Sequence, residues 1–284
     1  MNIGIIGNGF VGKATNQLKC KDIDILAYDI NNDLCFPKDL KLTDLLICEF
    51  IFISVPTPMS KNGSCYLDII ENVLKNLENI NYNGFIVLRS TVPVGTSNKL
   101  KCYFMPEFLT EKNYINDFIN NKDWIFGLLG LDTEKDFNFK LKIENLFNLA
   151  YENKRIKYNN LSFLTNKEAE MVKMFRNCYL ATKVSFCNEI YEYCNKLNIN
   201  YDNVINIAAN DERILLSHTS VPGHDGKKGF GGTCFPKDTA SLKYEMIKCG
   251  MKPYILESII ERNEKIDRPE KDWLMDKGRA SIDE

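Results

Sequence analysis

The sequence contains few histidines, no closely spaced cysteine pair and no long apolar run, and each shortage excludes a class of protein. The two histidines, His218 and His224, have no metal-ligand spacing with a cysteine, so no metal site is predicted. The ten cysteines include no CxxC pair, and we expect free thiols in a reducing compartment. No apolar run approaches the roughly 20 residues that span a bilayer, and a predicted strand from Asn2 leaves no room for a secretion signal. We therefore expect a cytoplasmic protein with no membrane partner.

Charge and length constrain the partners and the number of domains. A net charge of −2 favours neither nucleic acid nor an anionic membrane as a partner. The contents of 44% hydrophobic and 26% charged residues are those of a globular protein. At 284 residues the chain exceeds the roughly 250 at which single cores tend to split. We therefore expect two domains, 1–155 and 156–284.

The N-terminal stretch has the pattern of a dinucleotide-binding turn. A predicted buried strand at 2–6 runs directly into GNGFVG at 7–12, followed by a predicted helix and a second strand that ends at Asp29. Glycines there allow a tight turn, close approach to a pyrophosphate and close packing of helix on strand. The charge of Asp29 would repel a 2′-phosphate, so NAD is favoured over NADP; a glycine turn without a ligand is the alternative, and the intact context argues against it. The predicted cofactor-binding residues of this stretch are Gly7, Gly9, Phe10, Val11, Gly12 and Asp29.

Further strands are predicted to end in polar turns at one edge of a parallel sheet. The apolar strand 50–55 runs into PTP, and the strand 85–90 runs into TVPVGT. Apolar residues at helical spacing over 67–79 complete the crossover between these strands. The pattern predicts an α/β fold with an N-terminal doubly wound parallel sheet of the Rossmann type, which ends with a strand at 124–130 and a helix at 133–149.

Two carboxylates follow a short predicted strand near 101–104, in the stretch MPEFLTE at 105–111. If the chain after Pro106 is helical, Glu107 and Glu111 share one helix face. Paired carboxylates are also typical of an ordinary solvated surface, and the residues alone leave both interpretations open.

The second half is predicted to be mostly α-helical and to be built on one long helix at 165–197. Thr165 and Glu168 form the pattern of a capping box at its start. Lys173 and Asn177 lie one turn apart on this helix, either as solvent-exposed residues or, given the apolar neighbours of Lys173, partly buried. The helix is long enough to connect the two domains and to contact a second copy of the chain. Shorter polar helices follow, and the chain after residue 257 is predicted to fade into a charged tail.

The stretch GFGGTCFPKD at 229–238 combines three glycines with a cysteine, a lysine and an aspartate. The glycines let the backbone approach a ligand closely. Cys234 follows them, and Lys237 is near enough in sequence to favour its nucleophilic thiolate. A glycine-rich loop with an inert buried cysteine is the alternative.

Taken together, these motifs resemble the UDP-glucose and GDP-mannose dehydrogenase family, whose members oxidise the primary alcohol of a nucleotide sugar to an acid with NAD. The resemblance covers the chain almost end to end, in the family's order and rough spacing. It is carried by the glycine turn and by SVPTP (54–58), STVPVGT (90–96), MPEFLTE (105–111), EAEMVKMFRNCYLATKVSFCNE (168–189) and GFGGTCFPKD (229–238).

The resemblance implies a catalytic role for five residues. Cys234 is similar to the nucleophile that captures the aldehyde as a thiohemiacetal and carries the later thioester. Lys173 resembles the lysine that exchanges a proton with the C6 oxygen, with Asn177 as a hydrogen-bond donor to the same oxygen. Asp238 and Glu107 resemble the carboxylates that orient or activate the hydrolytic water.

The resemblance also implies residues that bind cofactor and substrate. Thr57, Thr91 and Glu111 match positions near the nicotinamide and its ribose. Arg213 resembles an arginine that reaches the sugar nucleotide, often in a neighbouring subunit, so a homodimer is expected. The implied substrate-binding residues are Glu107, Phe108, Leu109, Lys173, Asn177, Arg213, Gly229, Phe230 and Gly231, with UDP-glucose as the expected substrate.

The chain also departs from the family pattern. Met105 and Lys112 stand where members commonly have asparagine and glycine, and members normally continue into a second Rossmann-like domain beyond the point where this sequence ends. A separate chain that supplies this domain is therefore one possible partner. Two alternatives remain: a β-hydroxyacid-type dehydrogenase that oxidises once, and a catalytically silent NAD-binding chain with a regulatory or scaffold role.

Overall fold

The computed structural model describes residues 1–130 and 133–282 and divides into two compact units. The first unit comprises Met1–Thr57 and Leu67–Lys173, and the second comprises Pro58–Tyr66 and the described part of Met174–Glu284. These limits differ from the predicted boundary after residue 155, because a strand that the sequence analysis did not identify, Asn160–Thr165, belongs to the sheet of the first unit.

The described part of the first unit contains one seven-stranded sheet in the order β2-β1-β3-β4-β5-β6-β7. Neighbouring strands are parallel except β5 and β6, which pair antiparallel at Phe104 and Gly127. The strands are β1 (Asn2–Ile6), β2 (Asp24–Tyr28), β3 (Phe50–Ile53), β4 (Phe85–Leu88), β5 (Tyr103–Phe104), β6 (Asp123–Leu128) and β7 (Asn160–Thr165).

The helices that the sequence predicts lie at or close to the expected positions, and two short helices, Thr96–Lys99 and Tyr114–Ile119, were not predicted. The helices of the described residues are α1 (Phe10–Thr15), α2 (Asp68–Asn79), α3 (Thr96–Lys99), α4 (Tyr114–Ile119), α5 (Glu134–Glu152), α6 (Asn166–Lys196), α7 (Tyr201–Ala208), α8 (Phe235–Lys248) and α9 (Tyr254–Arg262). Thr165 and Glu168 form the predicted capping box at the start of α6, since the Glu168 backbone N–H donates to Thr165 Oγ1 and the Thr165 N–H donates to Glu168 Oε2.

Both faces of the sheet are apolar and covered, which is why strands such as β3 contain no polar residue. Phe50 belongs to a cluster that includes Ala14 of α1 and Phe139 of α5. The next residue, Ile51, points to the opposite face and belongs to a second cluster that includes Ile70 of α2. Helices on both faces of a mostly parallel sheet confirm the predicted doubly wound Rossmann fold.

The second unit is mostly helical, as predicted, and contains the part of α6 that follows Lys173 together with α7, α8 and α9. Its C-terminal segment differs from the predicted charged tail. Trp273 and Arg268 are buried, and the backbone of Met59 exchanges hydrogen bonds with Ala280 and Ile282. A charged tail is predicted to be solvated, whereas Arg268 is buried and pairs with Asp272, and the buried Asp267 pairs with Arg262.

Three further observations concern chemistry and environment. No helix within residues 1–130 and 133–282 combines the length and the hydropathy of a membrane span. All ten cysteines lie in the described ranges, and none is joined in a disulfide. No group of three or more His, Cys, Asp or Glu side chains in this part of the chain is arranged to hold a metal ion.

Candidate active site

The dinucleotide turn lies at the carboxyl ends of β1 and β3, where the strand order reverses. The chain passes from β1 to β2 on one side and then to β3 on the other. In open parallel sheets, ligands bind in the crevice that forms at such a reversal. The GNGFVG turn follows β1 and the SVPTP segment follows β3, so both predicted cofactor motifs are at this position.

The three glycines of the turn have different physical roles. Gly7 has a φ of +88°, which a residue with a side chain adopts only with strain. A Cβ at Gly12 would lie 2.2 Å from the carbonyl oxygen of Gly7, so this position tolerates no side chain. At Gly9, by contrast, nothing lies within 4 Å of a Cβ position. The turn therefore has open space over the N-terminus of α1, where a pyrophosphate is stabilised by backbone N–H groups.

Asp29, directly after β2, is held beside this turn. Its Oδ2 accepts a hydrogen bond from the Asn8 backbone N–H at 2.7 Å, and its Oδ1 accepts one from the Asn31 N–H at 2.9 Å. Each carboxylate oxygen can accept a further bond, which suits the ribose hydroxyls of a dinucleotide. Phe10 and Val11 open α1 at the same turn, and Phe10 contacts the ring of Tyr114. The predicted residues thus fit NAD.

Gly9→Ala is expected to weaken NAD binding about tenfold or more, because the new methyl group would occupy the open space over α1. Folding should be nearly unaffected, with a loss of at most about 1 kcal/mol for the helix cap. Titration of NAD against the protein's fluorescence, together with thermal unfolding, measures both effects. Gly12→Ala is the contrasting control, since its clash with Gly7 should lower stability itself. An unchanged dissociation constant for NAD in Gly9→Ala would contradict this position for the pyrophosphate.

The segments after β3 and β4 are tied together by side-chain hydrogen bonds. Thr57 Oγ1 donates to the carbonyl oxygen of Thr91 at 2.8 Å, and both threonines are buried. Ser90 Oγ donates to the Val55 carbonyl oxygen at 2.6 Å. The structure therefore brings together the two threonines predicted to lie near the nicotinamide.

Glu170 holds the next part of this loop and was not identified from the sequence. Its side chain is fully buried, and its carboxylate accepts hydrogen bonds from the Gly95 N–H at 2.5 Å and the Ser97 N–H at 2.7 Å. Burial raises the pKa of Glu170. The available signal was a carboxylate directly after Ala169, a position that faces the core. Through Glu170, α6 fixes the loop that carries Thr91.

Glu107 and Lys173 form a buried ion pair within the first unit. The chain over 105–110 is not helical, so the predicted shared helix face of Glu107 and Glu111 is wrong; Glu107 is buried and Glu111 is exposed. Lys173 Nζ donates to Glu107 Oε1 at 2.7 Å and to the Glu107 carbonyl oxygen at 2.6 Å. The Glu107 side chain is only 5% exposed and the Lys173 side chain only 4%. Glu107 is therefore not part of a solvated surface, and Lys173 is not solvent-exposed, so both of those alternatives are wrong.

The surroundings of Glu107 keep its carboxylate ionised. Burial alone would raise its pKa, but the charge and hydrogen bond of Lys173, the backbone N–H of Leu109 and the charge of Arg89 together hold the pKa below its usual range. The Leu109 N–H donates to Oε2 at 2.9 Å. Lys173 Nζ also lies 5.7 Å from the ring centroid of Phe108. The pair can thus supply a fixed cation and a fixed base from neighbouring positions.

The second unit places the other catalytic candidates at the start of α8. Cys234 is the N-cap residue of this helix and is partly exposed, so the inert buried alternative does not describe it. The helix N-terminus favours a thiolate over a thiol. Asp238, one turn on, is 1% exposed and accepts hydrogen bonds from Asn177 Nδ2 at 2.6 Å and Lys237 Nζ at 2.5 Å.

The charge of Lys237 is held in place by its neighbours. Burial alone would lower the pKa of Lys237, but the charges of Asp238, Cys234 and Cys65 and the hydrogen bond to Asp238 raise it overall. The ammonium group therefore stays charged near the thiol, as predicted from the sequence. The sequence did not show that Asp238 shares this lysine with the thiol.

The remaining predicted residues are also in the second unit. Gly229 and Gly231 flank Phe230, whose side chain is buried. Arg213 is exposed and forms an ion pair with Asp211 at 2.5 Å.

Comparisons with known proteins agree with this architecture. The chain is 29% identical to the UDP-glucose 6-dehydrogenase TuaD of Bacillus subtilis, over 93% of this chain and 63% of that protein; it therefore spans less than two thirds of that relative. A solved UDP-glucose dehydrogenase from Pyrobaculum islandicum superposes with a TM-score of 0.76 at 21% identity, covering 93% of this chain and 68% of the other. A 3-hydroxyisobutyrate dehydrogenase from Mycobacterium tuberculosis superposes with a TM-score of 0.70 at 11% identity and covers 95% of both chains.

Two domain models of one protein family match the chain, one in its first half and one in its second half. Residues 34–139 match the NAD binding domain of the UDP-glucose/GDP-mannose dehydrogenase family, and residues 167–265 match its central domain. Together the two models cover more than half of the chain, and the first identifies NAD as the cofactor of the Rossmann unit. The chain belongs to the UDP-glucose/GDP-mannose dehydrogenase family.

Proposed function

We propose that this chain catalyses the NAD-dependent, four-electron oxidation of the C6 alcohol of a nucleotide sugar, with UDP-glucose converted to UDP-glucuronate. The observation that carries the proposal is that the chain contains two sets of side chains suited to catalysis. One is the buried Lys173–Glu107 pair, and the other is Cys234 at the start of α8 beside Asp238. A chain that only bound NAD would need neither.

The first unit supplies the groups for the oxidation itself. NAD, bound at the turn after β1 and at Asp29, would accept one hydride in each of two oxidations. The Lys173 ammonium stabilises negative charge that develops on the C6 oxygen, and Glu107 keeps that lysine oriented through two hydrogen bonds to its Nζ. Asn177, four residues further along α6, is proposed to donate to the same oxygen through its amide.

Cys234 supplies the covalent step. Its thiolate attacks the aldehyde carbon, forming a C–S bond while the carbonyl electron pair moves to oxygen and takes up a proton. Oxidation of this thiohemiacetal leaves a thioester. Water then attacks the thioester carbon, the C–S bond breaks, and the acid leaves with the thiolate restored. Glu107 and Asp238 are the proposed bases for that water, and the whole cycle consumes one water and produces two NADH.

We propose that the second unit contacts a second copy of the chain and that Arg213 takes part in binding the nucleotide. The second unit presents exposed aromatic side chains along α6, namely Phe175, Tyr179, Phe186 and Tyr193. Rows of large apolar residues on a surface are typical of protein contacts, which supports a homodimer through this helix. Arg213 is exposed, and we propose that it contacts the sugar nucleotide bound by a second copy of the chain. A separate chain that holds the nucleotide is the further proposed partner.

A single oxidation of a β-hydroxyacid is the second candidate. The 3-hydroxyisobutyrate dehydrogenase, 95% of whose chain is covered by the match, shows that an enzyme named for such a substrate has the same fold. A two-electron oxidation has no use for a nucleophile, so the position of Cys234 favours the four-electron reaction.

The ratio of NADH formed to sugar consumed tests the proposal. With UDP-glucose and GDP-mannose offered separately, the expected result is two NADH per UDP-glucose and slower or no turnover of GDP-mannose. One NADH per substrate molecule would support the single-oxidation candidate. Bound NAD without turnover of either sugar, also after addition of a candidate partner chain, would contradict the enzymatic proposal and favour a regulatory role.

A further inference from the structure

The residues before Cys234 are held through their backbone by a segment from the far end of the chain. Asn263 is fully buried and begins a π-helical turn, Asn263–Asp267, that follows α9. Its Oδ1 accepts a hydrogen bond from the Phe230 backbone N–H at 2.8 Å, and its Nδ2 donates to the Phe230 carbonyl oxygen at 2.9 Å. One amide side chain therefore satisfies both backbone groups of Phe230, as a neighbouring strand would.

Arg268 occupies the space that a side chain at the next residue would need. A Cβ at Gly231 would lie 2.3 Å from Arg268 Cζ and 2.5 to 2.6 Å from two guanidinium nitrogens. The guanidinium is itself fixed, because Asp225 Oδ2 lies 2.7 Å from Nη1, and Asp272 accepts hydrogen bonds from Nε and Nη2 at 2.7 and 2.8 Å. Only glycine at position 231 permits this close contact.

Gly229 is held in the same way as Phe230 and Gly231, whereas Gly232 is not. Gly229 donates its backbone N–H to Asn188 Oδ1 at 3.2 Å, and a Cβ there would lie 2.3 Å from Asn263 Oδ1. At Gly232 nothing lies within 4 Å of a Cβ position. Residues 229–231 are thus held by these contacts, while open space lies beside the backbone at Gly232.

We propose that Asn263 and Arg268 are positioning residues for the nucleophile, which set the path of residues 229–231 and so place Cys234 at the start of α8. The proposal rests on the proposed function for the role of Cys234, and neither residue is assigned any contact with substrate. The physical reason is that a nucleophile acts only from a narrow range of positions, and a displacement of about 1 Å can cost about a hundredfold in rate. Fixing the preceding backbone restricts that displacement.

A double-substitution experiment tests the Arg268 contact. The readout is the rate of alkylation of Cys234 by iodoacetamide as a function of pH, followed by mass spectrometry of the peptide that contains it. This readout needs neither NAD nor sugar, so it is independent of whether the proposed reaction occurs. Gly231→Ala is expected to slow alkylation at neutral pH about tenfold and to move its midpoint to higher pH, because the thiol leaves the helix N-terminus.

The same change in an Arg268→Ala background decides the outcome. Removal of the guanidinium opens the space for the Cβ, so Gly231→Ala should then cost less than about twofold in rate. If the two substitutions instead have independent effects that multiply, Arg268 does not act through Gly231 and this half of the proposal is overturned.

Asn263→Ala tests the other contact, with Asn206→Ala on the exposed face of α7 in the same unit as the matched control. In variants that are folded by circular dichroism, the expected result is slower alkylation and a raised midpoint pH for Asn263→Ala only. Unchanged alkylation in a folded Asn263→Ala protein would overturn the role of Asn263. Should that variant fail to fold, Asn263→Asp, which keeps the acceptor to the Phe230 N–H but loses the donor, takes its place, with a smaller shift expected and an unchanged profile as the overturning result.

Discussion

Cys234→Ser is expected to reduce steady-state NADH formation with UDP-glucose by about a thousandfold or more, while NAD binding stays within about twofold of wild type. A serine hydroxyl is almost entirely protonated at neutral pH and cannot form the thioester, so the four-electron cycle has no path to completion. The dinucleotide turn belongs to the other compact unit and keeps its own contacts. Spectrophotometric turnover and equilibrium titration of NAD check the two expectations.

Cys249→Ser is the matched control for this substitution. Cys249 is exposed and directly follows α8, the helix that Cys234 precedes, so it tests the same chemical change outside the predicted site. It should leave turnover and NAD binding unchanged. Full steady-state activity in Cys234→Ser would remove the nucleophile assignment and, with it, the four-electron mechanism.

Lys173→Met is expected to lower both stability and activity, since it leaves the Glu107 carboxylate buried without its main cationic partner. Removal of one partner from a buried ion pair costs about 3–5 kcal/mol of unfolding free energy. Because the folded-state pKa of Glu107 lies below its ordinary value of 4.5, the stabilisation is present above that pH and is lost as the pH falls through the folded-state value. Urea unfolding of wild type and variant should therefore differ most near neutral pH and converge in acid.

The double variant Lys173→Met/Glu107→Leu separates the structural from the catalytic role of the pair. Two apolar groups of similar volume can replace a buried ion pair with little change in stability, so unfolding free energy should largely return. Activity should remain at least about a thousandfold below wild type, because the charge that stabilises the C6 oxygen is absent.

The partly exposed surface pair of Lys142 and Glu49 in the first unit, at 3.0 Å, is the matched control for Lys173. Since exposed ion pairs contribute about 0–1 kcal/mol, Lys142→Met should have little effect on stability or turnover.

Recovery of activity together with stability in the Lys173→Met/Glu107→Leu double variant would show that Lys173 acts only in folding.

Several parts of the fold could be predicted because their causes are local. The glycine turn after β1 and the capping box of Thr165 with Glu168 depend on residues within six positions of one another. Strands buried on both faces are uniformly apolar, which made β1 and β3 identifiable. By contrast, β7 lies at the end of the sheet order and contains no fully buried residue, so its sequence NLSFLT lacks the uniformly apolar pattern and was not predicted as a strand.

The candidate site could be predicted only in part, because some of its contacts join residues that are far apart in the sequence. Motif order identified Cys234, Lys173 and Glu107, since each lies in a dense pattern of unusual residues. It did not identify Glu170, because a glutamate in a helix is ordinarily solvated and only its partners 73 and 75 residues away show otherwise. The glycine at 231 is predicted to let the backbone approach a ligand closely, and the structure shows in addition that the Arg268 guanidinium lies against it.

The sequence by itself determined the Rossmann turn, the preference for NAD and the long helix, because each follows from side-chain chemistry at short spacing. The set of candidate catalytic residues came from the resemblance of the motifs to a known family. The tertiary structure alone decided which charges are buried and which groups they face. It pairs Glu107 with Lys173 rather than with Glu111, shares Asp238 between Asn177 and Lys237, and places Arg268 against Gly231. A buried charge is stable only beside its partner, and Glu107 and Lys173 lie 66 residues apart along the chain, as Asn177 and Asp238 lie 61 apart.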